Sequence, residues 1–160
     1  MSALDDESNQ ALLPLTVAAF AITGHQRRKE QWSLVAPISR EEVHVFELKG
    51  TYDTFEYIHS VSRVFMGSPR LRGGCEVGRI SADQLDWLGL KLKEVQIVWN
   101  DEDFDGQDWV VEAVYLLKEF GGIIHKGVGE RMIREELEAE LERWDCADDI
   151  FYEREVRSRN

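Results

Sequence analysis

Apolar and polar positions alternate along the first half of this chain and recur every three to four residues along the second. Residues 15–22 form a continuous apolar run with β-branched members, the signature of a buried strand. Residues 31–37 alternate and stop at Pro37, while residues 41–50 alternate with Val43, Val45 and Leu48 on changing faces before Gly50. A fourth alternating segment spans 54–67, with Phe55, Tyr57, Ile58, Val61, Val64 and Phe65 as its apolar set. A short strand over 73–80 opens on two glycines.

Helical signals follow. Ser81 and Gln84 have capping-box spacing, and Leu85, Leu88 and Leu92 then fall on one helix face. Residues 94–99 fit either an extension of that helix or a short strand. The clearest helix covers 107–120, where Trp109, Ala113, Leu116, Leu117 and Phe120 make one stripe and Gly121-Gly122 ends it. A last helix, from about Glu130 to Trp144, carries Ile133, Leu137, Leu141 and Trp144 on one stripe. Strands first and helices later predict an α+β fold. The expected architecture is an antiparallel sheet of about five strands, with the 107–120 helix packed on one face and a C-terminal helix besides. On that helix, the apolar stripe should meet Trp32, Leu34, Val43 and Val45.

Length and charge narrow the picture. The chain has 160 residues, suiting one domain over 11–160 after a disordered lead-in at 1–10, with an acidic helical tail over 128–160. Its formal charge is −12, and ten of those charges belong to residues 100–160. With no basic face, nucleic acid and anionic lipid are not expected partners. No apolar run approaches the ~20 residues of a membrane span. Residues 11–24 have the length of a signal-peptide core, but Asp5, Asp6 and Glu7 precede them without any Lys or Arg, so no cleaved signal is expected. Two cysteines are too few for a disulfide scaffold and suit a reducing, cytoplasmic setting.

Familiar cofactor motifs are missing. His25, His44, His59 and His125 are scattered without zinc spacing, and no metal or cofactor is expected. The acidic run Asp101, Glu102, Asp103, Asp105 and Asp108 lacks the glycine and glutamate of a calcium loop and reads as a helix N-terminus. Residues 67–74 are glycine-rich but lack the Lys-Ser/Thr ending of a phosphate loop. Cys75 sits in a strand pattern, as a packed small residue, and Cys146 lies among acids that disfavour a thiolate.

Two segments, 30–35 (EQWSLV) and 104–114 (FDGQDWVVEAV), carry a resemblance. With His44-Val45 between them, their order is similar to that of permuted papain-like enzymes related to the NlpC/P60 and lecithin–retinol acyltransferase groups. Small fungal proteins of uncharacterised function have a like layout. In those groups a strand carries a His-Trp-Ala motif with the catalytic His. The next strand carries an orienting polar residue, and a helix opens with Asn-Cys-Gln-x-Trp-Val, the Cys being the nucleophile. Trp32, Ser33 and Leu34 match the first motif, His44 and Val45 the second, and Gln107, Trp109 and Val110 the third.

The departures fall on the chemistry. Gln31 stands where the resemblance implies the catalytic His, and Asp105-Gly106 where it implies Asn-Cys. Glutamine is no general base near neutral pH, and glycine offers no nucleophile. The expected cleft comprises Gln31, Trp32, His44, Asp105, Gly106, Gln107 and Asp108, with no catalytic residue assigned. Three functions follow from this reading. The first is an inactive papain-like protein that binds a small molecule or peptide in the inherited cleft. The second is a protein-interaction module or homo-oligomer using the acidic C-terminal helices. The third is a non-thiol enzyme using His44 with Asp105 or Asp108.

Overall fold

The computed structural model describes residues 12–22, 28 and 30–140. The expected lead-in at 1–10, His25, Cys146 and the end of the last helix, with Leu141 and Trp144, lie outside the described residues.

Five strands form one antiparallel sheet: β1 (Leu12–Ala21), β2 (Glu30–Ser39), β3 (Glu42–Lys49), β4 (Glu56–Ser62) and β5 (Leu71–Ser81). Their spatial order is β4-β3-β2-β1-β5. The helices are α1 (Leu85–Lys91), α2 (Gly106–Leu117) and α3 (residues 130–140). The fold is α+β. Ser81 and Gln84 do form a capping box, which starts a 3-10 turn leading into α1. Residues 95–99 join neither strand nor helix; Val95 is buried there, and Trp99 Nε1 donates to the Phe55 carbonyl at 2.9 Å. β4 is shorter than its alternation suggests, because Phe65–Gly67 turn into a 3-10 helix that folds Phe65 under the sheet.

Helix α2 crosses one face of this sheet. Trp109, Val110, Ala113 and Leu117 are fully buried against Trp32, Leu34 and Ala36 of β2 and Phe46 and Leu48 of β3. Each of the larger aliphatic or Phe side chains among them contributes about 1.5–3 kcal/mol through burial, and each alanine methyl less. Trp109 stacks on Tyr57 with ring centroids 5.3 Å apart. Contrary to the expectation from alternation, Val43 and Val45 do not meet this helix. Leu34 pairs with Phe46, so the two-residue period sends Phe46 and Leu48 towards α2. Val43 and Val45 point the other way, into a small second cluster with Ala18, Val35 and Phe65.

The free edge of β5 is closed by residues 123–125. Arg79 N–H donates to the Ile123 carbonyl at 2.8 Å, and His125 N–H to the Val77 carbonyl at 2.9 Å. A Cβ at Gly78 would collide with the Ile123 backbone, so the approach requires glycine. In α3, Ile133 and Leu137 are buried in the core of the same chain, so this part of the apolar stripe covers its own domain.

Candidate functional site

The start of α2 meets the start of β2, and there the structure gathers six of the seven expected cleft residues. Asp105 caps the helix: its carboxylate accepts from the backbone N–H groups of Gln107 at 2.9 Å and Asp108 at 3.3 Å. Asp108 returns the bond, accepting from Asp105 N–H at 2.9 Å. This reciprocal box satisfies helix-terminal donors that would otherwise lack partners. Arg28 Nε donates to Asp105 Oδ2 at 2.9 Å, and Arg28 Nη2 lies 3.7 Å from Asp108 Oδ1. Burial pushes the Asp105 carboxyl up, but the bonds from Arg28 and Asp108 outweigh it and hold the group below its ordinary range. Asp105 is therefore ionised and committed near neutral pH.

Gln107 ties three elements together. Its Nε2 donates to the Glu30 carbonyl at 2.8 Å, and its Oε1 accepts from Arg134 Nη1 of α3 at 2.7 Å. The Arg134 guanidinium also lies over the Trp32 ring, 4.6 Å from its centroid. Trp32, Gln107 and Asp105 are buried, so on the helix side of the sheet this junction is filled.

Gln31 faces Gly106. A Cβ on Gly106 would stand 3.2 Å from the Gln31 side-chain nitrogen, which donates to the Leu48 carbonyl at 2.9 Å. Neither residue, nor any neighbour just described, presents a nucleophile.

His44 is not brought to this end. It pairs with Ala36, five residues along β2 from Gln31. At ~3.4 Å per strand residue that is about 17 Å. Antiparallel pairing is the reason: the end of β3, not its beginning, lies beside the start of β2. His44 Nδ1 instead meets His59 Nε2 at 2.9 Å, and the His59 ring stacks on Phe46 at 4.2 Å. Burial, and then His44, lower the pKa of His59. His44 thus shares no site with Asp105 or Asp108, which removes the geometry of the non-thiol acid–base alternative.

On the opposite face of the sheet lies an open groove of about 420 Å³. Ser33, Val45, Glu47 and Ser60 line it, Phe20 and Phe65 stand along it, and Gln31, Lys49 and Arg70 also border it. Glu47 belongs to the same strand face as Val43 and Val45, a position the sequence pattern marked only as part of an alternating strand. Burial raises the pKa of its carboxyl, with Lys49 working weakly against the shift. Among the described residues neither the Glu47 carboxyl nor the Ser33 hydroxyl makes a hydrogen bond or ion pair, although Ser33 is only 1% exposed.

Cys75 is buried in β5, its Sγ 3.9 Å from the Met132 sulfur. Burial first, then Glu136 and Glu76, push its thiol up to about 11. It is a packing residue. Among the described residues no group of three or more metal-ligating side chains comes together, and no helix is long and apolar enough to cross a membrane.

Comparison with protein-family models, with curated proteins and with solved structures finds no match for this chain.

Proposed function

We propose that this chain is a catalytically silent papain-like protein that binds a small molecule or peptide in the groove bordered by Gln31. The observation that carries the reading is the opposition of Gln31 and Gly106, the two residues standing at the His and Cys positions of the motifs. Motif order along the chain and proximity in the fold agree at these two positions, as a vacated Cys–His pair requires. The helix side of the junction is packed shut, whereas the sheet side offers an open groove with polar groups unpaired among the described residues. Groove and silent pair share Gln31, so a binding role uses the same end of β2.

The reading expects no thiol-dependent chemistry. Thioester and peptide substrates, assayed before and after iodoacetamide treatment, should show no turnover in either case. Turnover that alkylation abolishes would contradict the proposal and make a cysteine of this chain a nucleophile.

A further inference from the structure

The groove floor contains an unusual acid. Glu47 sits in β3, half-buried, on a sheet face that carries Val35, Val43 and Val45 together with Ser33 and Ser60. An ionised carboxylate accepts hydrogen bonds and donates none, and burial without a donor is costly. Surface glutamates avoid this cost in water, and buried ones normally hold an Arg or Lys. Here Lys49, two residues along the same strand face, makes no ion pair with Glu47. Beside it, the Ser33 hydroxyl also lines the groove and has no partner among the described residues. Two neighbouring strands thus place in one cavity an acceptor and a hydroxyl that are unpaired among the described residues.

We propose that the groove binds a small apolar amine, its ammonium on the Glu47 carboxylate and its apolar body against Phe20 and Phe65. The assignment rests on the binding role proposed above and names the ligand class of that site. An ammonium supplies a charge and three donors, enough for the carboxylate and for the hydroxyls of Ser33 and Ser60. The edge-to-face pair of Phe20 and Phe65, centroids 5.1 Å apart, offers the apolar wall. Lys49 and Arg70 border the same groove and would hold an acidic group next to the amine, so zwitterions bind at least as well as the bare amine.

Calorimetric titration with four probes of one shape tests this: 2-phenylethylamine, L-phenylalanine, 2-phenylethanol and 3-phenylpropanoate. The two amines should bind, with the alcohol and the acid about tenfold weaker or more. Glu47→Gln, near-isosteric and checked for native circular dichroism, should weaken both amines about tenfold. Ser60→Trp, which fills the groove from the edge strand, should abolish all binding. If the alcohol or the acid binds as tightly as the amine and Ser60→Trp removes it, the amine assignment falls while the groove stands. Equal amine binding by Glu47→Gln has the same meaning. If no probe binds, or Ser60→Trp leaves binding intact, the amine assignment and the groove fall together.

Discussion

The side-chain amide of Gln31 closes over the bare α-carbon of Gly106, 3.2 Å from where a Cβ would stand. The contact explains why the start of α2 lies so near β2, since any side chain at Gly106 must displace the Gln31 amide by a few tenths of an ångström. It also fixes what the junction does. With Asp105 held by Arg28 and Gln107 spanning Glu30 and Arg134, the helix start is a structural anchor with no free acid, base or nucleophile.

Trp109 is the largest fully buried side chain of the core, and its indole N–H lacks a hydrogen-bond partner among the described residues. Trp109→Ala should cost roughly 3–5 kcal/mol in urea unfolding. Trp109→Phe should cost about 1–2 kcal/mol, because the unpaired N–H it removes was itself unfavourable. A loss below about 1 kcal/mol for the alanine variant would mean that α2 is not the central core helix.

Much of this core was legible in the sequence. The spacing from Trp109 to Leu117 and the capping pair Ser81–Gln84 mark α2 and the start of α1, because burial and capping leave local periodic signals. The face of β3 was not legible. Val43, Val45, Phe46 and Leu48 are all apolar, so alternation alone does not say which set meets the helix; the register Leu34–Phe46 decides it. The same register separates His44 from the candidate site and puts Glu47 in the groove. Which end of a strand lies beside a given residue depends on pairing direction, a long-range property that a short motif does not carry.

Asp105 should make stability depend on pH. Its folded pKa is depressed, so its contribution is present above the unfolded carboxyl value of ~3.9 and is lost as pH falls through the lower folded value. Asp105→Ala should cost about 1–2 kcal/mol at neutral pH through loss of the cap, with the Arg28 pair lost besides. Urea midpoints of parent and variant should converge as the pH falls below the ordinary carboxyl range. A gap unchanged by acid would show that the carboxylate charge contributes nothing to the anchor.

In the proposed function, Gly106 and Gln31 stand in the places of a nucleophile and its base. Alkylation of the variant Gly106→Cys with Gln31→His, followed at position 106 by peptide mass spectrometry near pH 6, tests it most directly. Helix start and imidazole together should hold the new thiol as thiolate, so the double variant should react about tenfold or more faster than Gly106→Cys alone. Native circular dichroism must be retained in both. A folded double variant that alkylates no faster than the single one would contradict the account, leaving Gln31 and Gly106 as neighbours without the geometry of a vacated catalytic pair.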